Sequence, residues 1–411
     1  MGWQPLIVHS SGKESAMTCC WKAIAVVMLA HSAAVALADN PPALLPGEQP
    51  ITLGRPLVGA SRLPTLQEIE QSVRQAEVRP LVLFRLHGDR HNHYAPAWSA
   101  DGRSLVCLRA DIDERTCKVL IYPALSQEQP AALYDESLTY EHMPAWSSGS
   151  RSLLAFSSNR GDDREENIHV WEPGAEPRAV TNGPGSKVLP QLLTDSGVPQ
   201  LLFRRVNEFE LLTIQAAGPA ASPRSLGSAD EMRLSPNGDS VAVISAVDVQ
   251  SRGQMLSVRN LTTQRNLRLI SEPGRLLRNP VWSPDGRWIA LWSRGTDSLE
   301  WELWSAGADG QSAPRKLRDG VRVQEDFRHV GPAWSPDARR IWFTLSRGDQ
   351  SYYPLHWTSP DGSAQAHLDY DRSLTTTLDL TCCPHPEAAA LSFVAVAERS
   401  LDVYVMLLNH P

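Results

Sequence analysis

From residue 80 onward the chain alternates short apolar runs with clusters of turn residues. The runs Leu105 to Leu108, Leu153 to Phe156, Leu201 to Phe203, Val241 to Ile244, Ile289 to Trp292, Ile341 to Phe343 and Leu391 to Val396 are brief and rich in β-branched and aromatic residues. None carries the i, i+3, i+4 spacing of a helix, so each predicts a strand. The clearest context is Asn279-Pro280-Val281-Trp282-Ser283-Pro284-Asp285-Gly286-Arg287-Trp288-Ile289-Ala290-Leu291-Trp292, which reads strand, tight turn, strand. Pro presets φ, Asp bonds the local backbone, and Gly accepts the positive φ that a tight hairpin demands. A third strand follows at Trp301-Glu302-Leu303-Trp304, then a Gly/Asp turn at Gly307 to Gly310.

This unit recurs. Good copies stand at Pro96-Ala97-Trp98-Ser99-Ala100-Asp101-Gly102, Pro144-Ala145-Trp146-Ser147 and Pro332-Ala333-Trp334-Ser335-Pro336-Asp337. Weaker ones begin at Leu234 and Pro190, and a worn one runs Leu378 to His385. About seven units at periods of roughly 40–50 residues predict an all-β, seven-bladed β-propeller of four-stranded blades. Six blades is the alternative, should 188–216 or 376–409 not form a blade. The Asp of each turn is explained by its turn role, and Trp98, Trp146, Trp282 and Trp334 are expected to pack between blades.

The recurring P-x-W-S-P-D-G, the apolar triplet after it, and loops such as Ser346-Arg347-Gly348-Asp349 resemble the TolB-like β-propeller repeat over residues 90–410. The resemblance implies a propeller. It implies an activity only weakly, because propellers serve as binding scaffolds, lyases and peptidase gating domains alike. The founding member of that family carries an α/β domain ahead of its propeller, and residues 39–79 are too few for one.

At the N-terminus, Lys22 precedes an apolar run from Ala23 to Ala30, continued from Ala33 to Ala38, that ends in Ala36-Leu37-Ala38, the small-x-small pattern of an export signal. Residues 1–38 are therefore read as leader and signal peptide with Met17 as the natural start, and no membrane span is expected after cleavage; retention of the run as an uncleaved anchor is the alternative. This predicts a periplasmic or secreted protein. Residues 39–79 form a linker with one short helix at 65–77, opened by Thr65-Leu66-Gln67-Glu68, and 80–411 form the propeller. Leu81 to Leu86 is a strand without a blade, while Asp402 to Leu407 is the third strand of the last unit. The first is expected to complete the last blade and close the ring.

Charge and motifs narrow the function. The net charge is −7 and no stretch gathers basic residues with aromatics, so a nucleic-acid partner is not expected. There is no G-x-S-x-G elbow, no H-E-x-x-H and no glycine-rich phosphate loop. Arg160-Gly161-Asp162 and the acidic run Asp162, Asp163, Glu165 and Glu166 read as a solvated hairpin tip. Cys107 and Cys117 lie on successive strands, as a cross-strand disulfide or as two buried thiols.

One constellation stands apart. His93, His142 and His329 lie two or three residues before the repeat proline in three units, with Tyr94, Glu141 and Arg278 close by. The segment before a first strand enters a propeller at its central channel, which makes these six residues the candidate ligand-binding channel mouth. Converging imidazoles suit a divalent metal, and Arg with Tyr suits a carboxylated ligand. The arrangement resembles propeller polysaccharide lyases such as oligogalacturonate lyase, though no catalytic residue transfers by position. The leading expectation is a non-enzymatic propeller, without cofactor, that binds a protein or cell-envelope ligand. The alternative is a metal-dependent lyase or hydrolase acting on acidic sugars at the channel mouth.

Overall fold

The structure is a computed structural model that describes residues 50–52, 82–86 and, apart from short stretches between strands, 91–407. Among these residues there is no helix; seven sheets of four strands, one of them with a fifth added, form a seven-bladed β-propeller. The first strands are Asn92–Trp98, Glu141–Trp146, Lys187–Leu193, Glu231–Leu234, Arg275–Trp282, Ala333–Trp334 and Leu378–Cys382, for blades 1 to 7 in turn. Within blades 1 to 5 the strands run in sequence order and antiparallel; blades 6 and 7 each take a strand from the N-terminus at their outer edge. Both weak repeats, at Lys187–Leu193 and Leu378–Cys382, are true blades. The signal peptide and the 65–77 helix lie outside the described residues.

The N-terminal strand closes the ring. Val82–Arg85 pairs antiparallel with Ser400–Leu407, in the register Val82↔Leu407 to Arg85↔Tyr404, as outer strand of blade 7. Leu86 N–H extends the ladder to Val403 O at 3.0 Å. A second N-terminal piece, Pro50–Thr52, adds in parallel to the outer strand Gln365–Asp369 of blade 6, which is five-stranded. The repeat units did not foretell this addition.

The repeat residues hold the ring in two ways. In the turns, Ser99, Ser283 and Ser335 donate from Oγ to Oδ1 of Asp101, Asp285 and Asp337 at 2.5–2.6 Å. The same carboxylates accept the N–H of Arg103, Arg287 and Arg339, so each aspartate is consumed by its own turn. Gly238 at φ +74 shows why the turn needs glycine: the backbone is left-handed, and a Cβ there would strike the Leu193 side chain of blade 3. Between blades, the repeat tryptophans act as clasps. Trp146 Nε1 donates to Ala97 O, Trp282 to Arg233 O and Trp334 to Val281 O, at 3.0–3.1 Å in each case. At the junction of blades 7 and 1, Trp98 Nε1 meets no acceptor among the described residues; there Asn92 Oδ1 accepts from Leu401 N–H at 3.1 Å.

Cys107 pairs across the hairpin with Leu120, and Cys117 with Ala110, so the two cysteines stand three pairs apart, roughly 10 Å along a strand. Both are fully buried. The cross-strand disulfide is excluded by register.

Two outcomes test this account. Trp282→Phe removes one inter-blade donor and leaves Arg233 O exposed to an apolar ring edge, so chemical denaturation should show a loss of about 1–3 kcal/mol. Deletion of residues 81–88 bares the long edge of Ser400–Leu407 and should abolish the cooperative thermal transition; a folded, monomeric deletion protein would show that the ring closes by other means.

Candidate functional site

Five of the first strands kink at the same place. In blades 1, 2, 3, 5 and 7 the pairing with the second strand slips by one residue between Tyr94 and Ala97, His142 and Ala145, Val188 and Gln191, Arg278 and Val281, and Leu378 and Thr381. The residues before the prolines, Ala95, Met143, Leu189 and Asn279, sit at φ between 49° and 59°. These are β-bulges with a left-handed residue, a conformation that costs roughly 1–2 kcal/mol for an ordinary side chain. A bulge re-aims the side chains before it, and these are the candidate residues.

Their placement follows. His93 is fully buried, its Nδ1 3.6 Å from Asp402 Oδ1 on the third strand of blade 7. Tyr94 is buried with its hydroxyl 3.3 Å from Cys117 Sγ. Glu141 is fully buried and accepts the N–H of Val119, on the third strand of blade 1, at 2.8 Å. His142 places Nε2 3.0 Å from Glu166 Oε1, which draws that carboxyl below its ordinary range against the opposing effect of burial. Glu166 is thus a half-buried partner and not part of a solvated hairpin tip. Arg278 Nη1 donates to Gln254 Oε1 at 3.1 Å and to Leu277 O at 2.9 Å. His329 lies outside the described residues. Among the described residues no three of His, Cys, Asp and Glu stand together as a metal would need. His93 and Glu141 instead occupy matching seams, each reaching the third strand of the preceding blade.

Around Glu141 the seam between blades 1 and 2 is unusually polar for a buried place. Lys118 Nζ donates to Thr139 Oγ1 at 2.5 Å, and Thr139 Oγ1 lies 3.5 Å from Glu141 Oε1. The Arg160 guanidinium lies 4.0 Å over the Tyr134 ring, whose hydroxyl is 3.0 Å from His169 Nδ1. Burial pushes Glu141 up to about 7, against the Val119 N–H and the Lys118 charge, and it pushes His169 down to about 4, helped by Arg160.

A second place collects charge around open space. A cavity of ≈ 330 Å³ lies between blades 3, 4 and 5, at the end of the ring where first strands begin and second strands finish. Four guanidiniums line it, those of Arg204, Arg233, Arg278 and Arg294, against two carboxylates, Asp230 and Glu231. Both carboxylates are engaged. Glu231 Oε2 accepts Asn279 N–H at 2.9 Å, and Asp230 Oδ2 accepts from Gln254 Nε2 at 2.8 Å. Burial drives the Glu231 carboxyl up, with Arg233 and Arg278 opposing, and drives the Arg233 guanidinium down. Gln254 bridges Asp230 to Arg278 and so fixes that arginine in place. Arg294 lies 4.9 Å over the Trp301 ring and donates from Nη1 to Ser298 O at 3.0 Å. Planar forks held this way suit a carboxylate, sulfate or phosphate oxygen pair. The walls offer no Ser, Thr, Cys, His, Lys or Tyr among the described residues.

Of the five candidate residues described, Arg278 lines this cavity. Sequence reasoning passed over Arg204 and Arg294, though a signal existed: each directly follows the apolar core of a second strand, Leu201 to Phe203 and Ile289 to Ser293. Second strands end at the face where first strands start, so topology brings these arginines to Arg278.

No protein-family model matches this sequence, and no curated protein sequence does. Solved structures with the same fold are numerous. An oligogalacturonate lyase in complex with manganese superposes at a TM-score of 0.58 with 13% identity, over 80% of this chain and 93% of that one. A puromycin-hydrolyzing peptidase of Mycobacterium tuberculosis superposes at 0.54 with 15% identity, over 74% of this chain and 49% of the peptidase. TolB from Acinetobacter baumannii gives 0.46 with 13% identity, over 78% and 93%. At such identities the likeness is one of fold.

The Glu141 seam yields a pH prediction. Its carboxyl is raised above the ordinary value near 4.5, so its favourable contribution is full below that value and is lost as pH rises through about 7. Glu141→Gln cannot ionise, so the variant should gain ~2–3 kcal/mol on the wild type between about pH 5 and pH 8. A difference in denaturation midpoints that stays flat over that window would remove the assignment.

Proposed function

We propose that this chain is an exported, non-enzymatic β-propeller that binds a protein or cell-envelope ligand, as TolB-like scaffolds do, and that the arginine-lined cavity receives an anionic group of that ligand. The observation that carries the reading is the cavity's charge: four guanidiniums against two engaged carboxylates, in a chain whose net charge is −7. A chain that repels anions overall admits them at one built place, and the attraction there is local and desolvated. Both carboxylates on the walls are already engaged, Glu231 by Asn279 N–H and Asp230 by Gln254, which supports binding over turnover. The export expectation rests on Lys22 to Ala38. Among the described residues no helix is long and apolar enough to cross a membrane.

A second reading draws on the same arginines. A uronate carries the carboxylate that they suit, and a metal-dependent lyase or hydrolase acting on acidic sugars would place it there. That reading needs a divalent metal near His93, Glu141, His142 and His329. The first two described here are engaged at blade seams, which favours the scaffold.

One comparison separates the two. The purified protein is assayed for bound metal and for cleavage of polygalacturonate, and is used as bait in an envelope extract beside Arg278→Ala/Arg294→Ala. The scaffold reading expects no cleavage and a partner whose recovery falls about tenfold or more in the variant. Near one equivalent of metal with polygalacturonate cleavage would establish the enzyme instead.

A further inference from the structure

The hairpin tips beside the cavity carry an unusual pair of residues. Val206 is 66% exposed and Leu299 91% exposed, and both are among the few large apolar side chains left in water by this fold. Each tip is tied to a cavity arginine by a backbone carbonyl. Arg204 donates from Nε to Val206 O at 3.0 Å, and Arg294 donates from Nη1 to Ser298 O, the residue before Leu299. Val206 belongs to the tip between Gln200–Arg205 and Glu208–Thr213 of blade 3, and Leu299 to the tip between Trp288–Gly295 and Trp301–Gly307 of blade 5. Both tips stand at the end of the ring where the cavity opens, one on either side of blade 4.

Val206 is also strained. It occupies φ 56° in a two-residue hairpin turn, where Asn or Gly adopts that conformation at little cost and a β-branched residue is an outlier. Neither the turn nor the core explains a valine there, since its side chain faces solvent. Single exposed apolar residues are ordinary on protein surfaces. A pair flanking a cationic cavity makes a pattern, apolar, cation, cation, apolar, across three adjacent blades.

We infer that this face binds an extended acidic segment of a partner protein, whose carboxylates enter the cavity between Arg204, Arg278 and Arg294 while its aliphatic side chains cover Val206 and Leu299. This deepens the binding reading above and rests on it. Charge complementarity selects acidic over neutral or basic segments. The apolar flanks select a polypeptide over an acidic polysaccharide, because a sugar chain has no aliphatic side chain to shield them from water.

The test places a photo-crosslinking phenylalanine analogue at Leu299, at Val206 and, as control, at Asp309, which is exposed in the turn at the other end of blade 5. Irradiation is done in the intact expressing cells, and crosslinked peptides are mapped. The expected result is adducts from positions 299 and 206, at least about fivefold above those from 309, to a peptide rich in Asp and Glu. Arg278→Glu should abolish them. Asn207, beside Val206 and also exposed, replaces it should the substituted turn lower the melting temperature. Adducts equal at all three positions, or mapping to a segment without acidic residues or to carbohydrate, overturn the inference. Should envelope capture still depend on Arg278 and Arg294 while the rim positions give no adduct, the cavity binds its ligand and only the peptide assignment falls. Loss of any arginine-dependent capture overturns the binding reading itself.

Discussion

The ring stands on contacts between blades, because no blade can bury both of its faces alone. The recurring contact is small: an indole N–H of one first strand donating to the carbonyl just before the corresponding position in the blade behind it, seen for Trp146, Trp282 and Trp334. It places a large apolar ring in the wedge between two sheets and satisfies a backbone group that the wedge would otherwise strand. Where a tryptophan is missing, other chemistry fills in. In blade 3, Gln191 takes the Leu234 N–H on Oε1 and gives Nε2 to Met232 O, joining blades 3 and 4 by a side-chain amide.

That constraint explains which parts of the chain could be read in advance. The turns are local chemistry, so Ser283-Pro284-Asp285-Gly286 announced itself, and its spacing gave the blades and even the pairing of Val82–Arg85 with Ser400–Leu407. The candidate residues around the repeat prolines were harder to read, because a strand written as regular alternation hides a bulge. The slip at Ala95, Met143, Leu189 and Asn279 turns each preceding side chain by one pleat position; its one local signal is the proline that follows each of them, a residue a strand interior admits only at an edge or a bulge. Arg278 was found for its neighbourhood to Pro280. Its companions Arg204 and Arg294 were not, since they approach it through topology and not through the repeat.

Two kinds of buried charge coexist in the molecule. At the seam of blades 1 and 2, Glu141 is packed against a neighbouring strand with a backbone N–H and a lysine close by, and its environment favours the neutral acid. In the cavity, Asp230 is linked through Gln254 to Arg278, and the surplus is cationic. The first arrangement closes space between blades; the second holds donors fixed around space that is left open.

The pairing of Val82–Arg85 with Ser400–Leu407 joins nearly the first described strand to the last. On a ribosome, the earlier partner emerges long before the later one exists, so the ring cannot close until Ser400–Leu407 has been made. Every shorter nascent chain carries open sheet edges and unclasped blades. A product truncated before Ser400 leaves the edge of Val82–Arg85 without its partner. Circular closure thus doubles as a completeness check, written into the order of the strands.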